Sequence, residues 1–258
     1  MNVVMTIAGS DSGAGAGIQA DLKTILMHDL WGVSVITTIT AQNTKEINKI
    51  YQLPLDIIEG QLDALISDFP IQAIKIGMLY STEIIEVIFN KLKNLKIPIV
   101  LDPILKSTTG KDLITGNYLD VLKNRLIPIS AIITPNIMEA EKLSNTQISD
   151  LNDVKNACKI IKRIGSDAVL VKGGHLNEEE SEIFDILYYQ GKFYFFKKMR
   201  IIGNYHGIGC TFSSSIACNL ASGNDLVDSV KLSETYIENV IANSDRITKG
   251  LIPVNQKY

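Results

Sequence analysis

Short apolar runs alternate with helix-period segments along almost all of this 258-residue chain, and each run stops in glycine or a polar residue. Runs at 3–8, 33–39, 73–76, 97–101, 131–133 and 168–171 have the length and near-continuous apolar character of buried strands. Between them, 15–28, 55–67, 82–95, a segment from about 137, and 150–164 repeat apolar residues at helical spacing. Ile18, Leu22, Ile25 and Leu26 form one such stripe, and Ile58, Leu62 and Leu65 another. Strands that alternate with helices of this length specify an α/β fold, a mostly parallel sheet with helices on both faces. Residues 183–189 and 192–198 flank Gln190-Gly191 and read as a hairpin; 207–221 and 225–246 read as two closing helices. One domain over 1–258 is expected. Ligands of open α/β sheets bind outside the carboxyl ends of the strands. Gly9, Gln42, Gly77, Asp102, Asn136 and Lys172 follow the strands and are expected to converge there.

Two glycine-rich loops feed helix starts. The first runs from Gly9 through Gly13-Ala-Gly-Ala-Gly17 to Asp21; the second is Asn204-Tyr-His-Gly-Ile-Gly-Cys-Thr211. A helix N-terminus lined with small residues exposes unpaired N–H groups and receives anions. The first loop departs from G-x-G-x-x-G, and the following run ends in Thr40-Ala-Gln42 instead of an acidic residue, which argues against a dinucleotide fold. In the second, the amides of Gly207, Ile208, Gly209 and Cys210 would form an anion hole suited to a transferring phosphoryl group. Cys210 would sit in the positive end of the helix, where a thiol is expected to ionise near neutral pH and serve as base or nucleophile. An inert buried cysteine is the plain alternative. Asn136 and Glu139 stand three apart at a helix start, beside Asp102 at a neighbouring strand end. Such carboxylates hold Mg²⁺ through water, and equally Asn136 caps the helix. Lys172, in Lys172-Gly-Gly-His175, is placed to reach a phosphate, and Gln42 offers a donor and an acceptor to a ligand such as an aminopyrimidine. Residues 177–181 read as a solvated acidic loop.

The net charge of −3 gives no electrostatic case for nucleic acid or an anionic membrane surface. The first residues read as a strand and not a signal peptide, and no apolar stretch has the length of a bilayer span. Three cysteines fit a reducing cytoplasm, and three histidines without ligand spacing argue against structural zinc.

Taken together, the residues resemble the ribokinase-like superfamily, and within it the bacterial hydroxymethylpyrimidine/phosphomethylpyrimidine kinases. The carrying segments are 8–24, Ala41-Gln-Asn-Thr44, Lys75-Ile-Gly-Met-Leu79, Leu101-Asp-Pro103, Thr134-Pro-Asn-x-x-Glu-Ala140, Val171-Lys-Gly-Gly-His175 and His206-Gly-Ile-Gly-Cys-Thr211, in family order over nearly the whole chain. The resemblance implies a three-layer ribokinase-like fold. It implies transfer of phosphate from MgATP to 4-amino-5-hydroxymethyl-2-methylpyrimidine (HMP), and then to HMP-phosphate, in thiamine biosynthesis. By the same resemblance Cys210 is the catalytic base and Gly207, Ile208 and Gly209 the anion hole. Gln42, Gly9, Met78, Asp21 and Lys106 fall on the substrate side, Lys172, Asn136 and Thr211 on the ATP side, and Asp102 and Glu139 beside magnesium. It also implies a cytoplasmic homodimer acting on a small molecule. The family's usual residues differ at Ala14, Lys106, Tyr205 and Ile208. Two other readings stand beside this one: a pyridoxal kinase on the same scaffold, and a silent pyrimidine-binding relative.

Overall fold

The computed structural model describes residues 1–106, 117–173, 182–199 and 203–257. Gly174, His175 and the acidic run 177–181 lie outside the described residues. The chain runs β1 (Val3–Asp11), α1 (Gly17–Met27), β2 (Trp31–Gln42), β3 (Ile47–Gln52), α2 (Leu55–Asp68), β4 (Ile71–Ile76), α3 (Thr82–Leu92) and β5 (Ile99–Leu101). It continues with α4 (Tyr118–Arg125), β6 (Ile132–Ile133), α5 (Ile137–Ser144), α6 (Leu151–Ile164), β7 (Ala168–Val171), β8 (Glu182–Tyr189) and β9 (Lys192–Met199). It closes with β10 (Tyr205–His206), α7 (Ile208–Ala221), α8 (Leu226–Ala242) and β11 (Ile252–Pro253).

Among the described residues nine strands form one sheet in the order β3-β2-β1-β4-β5-β6-β7-β8-β9. The six from β2 to β7 run parallel, and β3, β8 and β9 add antiparallel edges. Helices cover both faces. Alternate residues of β1 show why: Val3, Met5 and Ile7 enter the core under α2 to α6, whereas Val4 enters the core under α1, α7 and α8. The strand order reverses between β1 and β4, so their carboxyl ends open the crevice where such sheets bind ligands.

Most expected elements are present, and the departures have local causes. Strand β1 runs to Asp11, past Ala8, through an irregularity in its pairing with β2. β5 starts only at Ile99, because Pro98 has no N–H for the ladder. Leu26 is 64% exposed: at eight residues from Ile18 it has rotated off the buried stripe, and Asp21 and Thr24 take the inward face instead. Ile39 is 49% exposed on a strand whose outer half alternates. The edge strand β3 and the helix α4 carry too few apolar residues to signal themselves in sequence. The hairpin turn is as expected, with Gln190 and Gly191 both at positive φ.

Candidate active site

A cavity of about 870 Å³ opens at the carboxyl edge of the sheet, and both glycine loops line it. The loops are packed against each other. Gly207 has a φ of 92°, and a Cβ there would fall on the carbonyl oxygen of Gly15. Asp11 organises the first loop: its carboxylate accepts from the N–H groups of Gly13 (2.8 Å), Gly15 (3.1 Å) and Ala16 (2.9 Å). His206 Nε2 lies 3.0 Å from the same carboxylate. Burial pushes the Asp11 pKa up, but these hydrogen bonds outweigh it and hold the group below the usual range. Gly9 is required for another reason. A Cβ there would lie 2.6 Å from Thr38 Oγ1 and 3.2 Å from Met78 Sδ, closing the floor of the cavity.

The second loop starts α7 and puts Cys210 at the cavity wall, 7% exposed. The expected low-pKa thiolate is not what the surroundings produce. Burial pushes the Cys210 thiol up to about 11, against the pull of the Lys75 cation and the Gly17 N–H, and Asp21 and Asp102 add to the rise. The helix dipole does not offset the loss of water. Alkylation of Cys210 by iodoacetamide is therefore expected to be slow at pH 7 and to accelerate about tenfold per pH unit toward that value. Peptide mass mapping separates it from Cys158 and Cys218, which are also buried and raised.

Across the cavity from the first loop, Lys172 Nζ pairs with Asp102 Oδ1 at 3.0 Å, and Asp102 also accepts from Thr134 Oγ1 at 3.2 Å. A Cβ on Gly209 would lie 3.5 Å from both Asp102 Oδ2 and Lys172 Nζ, so the anion hole and the ion pair face one another. Asn136 and Glu139 form a reciprocal capping box on α5, with 2.9 Å hydrogen bonds in each direction. Burial raises Glu139 to about 7; Lys172 pulls it down and Asp102 pushes it further up. Among the described residues there is no cluster of three metal-ligating side chains. Two oxygen donors, each with an oxygen already engaged by a neighbour, fit a hard cation that keeps its waters and binds mainly to phosphates.

Gly9, Gln42, Met78, Lys106, Asp102, Asn136, Glu139, Lys172 and the 207–210 loop all line this cavity. Two expected site residues do not. Asp21 is fully buried, bidentate to Lys75 Nζ at 2.8 and 2.9 Å, and accepts from Ser214 Oγ at 2.8 Å and from Thr6. It therefore fastens α1 to β4, α7 and β1 instead of meeting a ligand. Thr211 is fully buried, and its hydroxyl accepts from Gln256 Nε2 at 3.2 Å. Gly77 likewise lies off the cavity lining, with the ammonium of Lys75 2.8 Å from where its Cβ would be.

Sequence reasoning assigned no role to Asp11, His206 or Lys75, nor to the buried group Lys198–Asp185–Glu234, in which Lys198 Nζ is 2.7 Å from each carboxylate. Asp11 had a local signal, an acid followed by small residues, which favours an Asx-type turn. The others depend on contacts distant in sequence.

The family model described as phosphomethylpyrimidine kinase matches residues 11–255. A hydroxymethylpyrimidine/phosphomethylpyrimidine kinase of Aquifex aeolicus is 40% identical over 250 residues, covering 96% of this chain and 97% of that protein. A thiamine biosynthesis bifunctional protein ThiED of Geobacter sulfurreducens is 42% identical over 98% of this chain, which spans 51% of that protein. The structure of a phosphomethylpyrimidine kinase from Clostridium difficile matches with a TM-score of 0.83 at 41% identity, over 93% of this chain and all of that one. An ADP complex of Bacillus subtilis pyridoxal kinase matches with a TM-score of 0.91 at 30% identity, over 99% of this chain and 97% of that one.

Proposed function

Since the chain belongs to the phosphomethylpyrimidine kinase family, we propose that it phosphorylates the hydroxymethyl group of HMP with MgATP, and then HMP-phosphate to the pyrophosphate, in thiamine biosynthesis. The observation that carries this reading is the meeting, in one cavity, of Gln42, Cys210 and the Lys172–Asp102 pair. Gln42 offers its amide to the aminopyrimidine edge, and Gly9 and Met78 wall the ring. The hydroxymethyl group then faces Cys210, whose thiolate form accepts its proton. A sulfur that holds its proton up to about 11 is a strong acceptor for an alcohol proton, although the base form is scarce at neutral pH. The amides of 207–210 and the Lys172 ammonium take the charge of the transferring group. Asp102 and Glu139 would hold Mg²⁺ on the nucleotide side, where it would supply positive charge to the ATP phosphates. Asn136 closes the nucleotide side, and Lys106 contacts the phosphate of the second substrate. The whole chain acts as one kinase domain, as a homodimer in the cytoplasm. Among the described residues no helix is long and apolar enough to cross a membrane.

The test is product mass after incubation with MgATP and, separately, HMP, HMP-phosphate and pyridoxal. Mono- and pyrophosphate from the two pyrimidines is the expected result. Product from pyridoxal alone would transfer the assignment to the activity named for the Bacillus subtilis neighbour; no product from any substrate would leave a binding protein.

A further inference from the structure

Strand β10 places His206 immediately before the anion hole, with its ring against Asp11 of the first loop and Gln42 at the end of β2. The ring is 5% exposed, and Nε2 lies 3.0 Å from Asp11 Oδ2 and 3.2 Å from Gln42 Nε2. The other ring nitrogen, Nδ1, is buried without a hydrogen-bond partner. A proton on Nδ1 would be a buried donor lacking an acceptor, so the proton belongs on Nε2, shared toward Asp11. That leaves the Gln42 amide facing a donor with a donor.

The contacts at its other end point the same way. Gln42 Oε1 is 3.2 Å from Thr40 Oγ1, and Thr40 donates its only proton to the Ser10 carbonyl at 2.9 Å. An oxygen is thus set against an oxygen that has no second proton to give. The two ends of an amide are told apart by the network around them. Exchanging them removes both mismatches. Oε1 then accepts from His206 Nε2–H, a proton it shares with Asp11 Oδ2, and Gln42 NH₂ donates to Thr40 Oγ1.

We propose that His206, held by Asp11, is a positioning residue that fixes which end of the Gln42 amide accepts and which donates, and thereby selects a 4-aminopyrimidine edge over its 4-oxo counterpart. The inference rests on the reading of Gln42 as the pyrimidine contact. After the two internal hydrogen bonds, Gln42 retains one lone pair on Oε1 and one N–H on Nε2 for a ligand. An aminopyrimidine presents a donor beside an acceptor; the 4-oxo ring presents the reverse order. A locked amide matches only one of them, because the mismatched ring pairs donor with donor and leaves buried polar groups unsatisfied. An amide free to turn accommodates both.

Two measurements decide the matter. Histidine-selective ¹H–¹⁵N correlation spectra, with His206 assigned by its loss in His206→Gln, are expected to show the Nε2–H tautomer. The Nδ1–H tautomer would overturn the proposal whether or not the protein turns over a pyrimidine. The second measurement is the ratio of kcat/KM for HMP to that for its 4-oxo analogue. His206→Leu is expected to lower this ratio by roughly 10-fold or more, the scale of one hydrogen bond with a buried partner. His206→Gln, which keeps a donor at the same reach, is expected to recover most of it. The ratio cancels any loss common to both substrates from disturbance of the neighbouring anion hole. A ratio unchanged in His206→Leu would sink the idea. A wild type inactive on HMP would remove the functional reading instead, and the tautomer would then be decided by the spectra alone.

Discussion

Cys210→Ala is expected to lower kcat by about 10²–10⁴-fold, the range a general base contributes, while the KM for ATP stays within about twofold. The site gives the reason for both halves. Cys210 lines the cavity, whereas the backbone amides of 207–210, which would hold the phosphates, survive the substitution. The pH dependence carries a second, independent sign. Burial sets the thiol at about 11, so below that pH the base form is the minor one. As pH rises the thiolate fraction grows, and log(kcat/KM) for the alcohol is expected to climb with a slope near +1 from about pH 7 to 10. A flat profile, or an alanine variant within about tenfold of wild type, would take Cys210 out of the role of base.

The second large effect concerns stability. Asp21→Ala is expected to destabilise the fold by about 3–5 kcal/mol, because it strands the Lys75 ammonium in a dry interior. Both side chains are completely buried. Burial alone would push Lys75 down; the Asp21 carboxylate beside it, with smaller help from the Cys210 and Asp102 positions, raises it instead. For a domain of this size the loss corresponds to a fall in Tm of roughly 6–20 °C, readable by calorimetry or urea unfolding. Asp21→Leu combined with Lys75→Met is expected to regain part of the loss. It cannot regain all of it, since Thr6 and Ser214 lose their acceptor. A shift of less than about 1 kcal/mol for Asp21→Ala would mean that water reaches the pair and that its burial contributes little.

The chain alternates period-2 and period-3.6 apolar patterns, and that is a local property. Residues such as Val3, Met5 and Ile7 on one side of β1, and Val4 on the other, could be read as buried before any coordinate was known. Loop chemistry was legible in the same way. Gln190-Gly191 makes its turn and Asn136 caps α5. The carboxyl-edge rule then gathered Gln42, Asp102, Asn136 and Lys172 around one cavity.

The protonation and partnership of the side chains were decided only by the tertiary structure. Cys210 stands at a helix N-terminus in sequence and looks acidic there. Its depth in the fold removes the water that a thiolate needs, and the thiol rises to about 11. Asp21 and Lys75 are 54 residues apart, and His206 and Asp11 are 195 apart, so no window of sequence contains either pair. Periodicity and turn chemistry act over a few residues, and so the chain by itself determined most of its elements, the parallel part of its sheet and the edge that would carry the site. Desolvation and charge pairing depend on what the folded chain brings within a few ångströms, and so only the three-dimensional structure shows that Asp21 and Thr211 are buried off the cavity and that burial raises the Cys210 thiol.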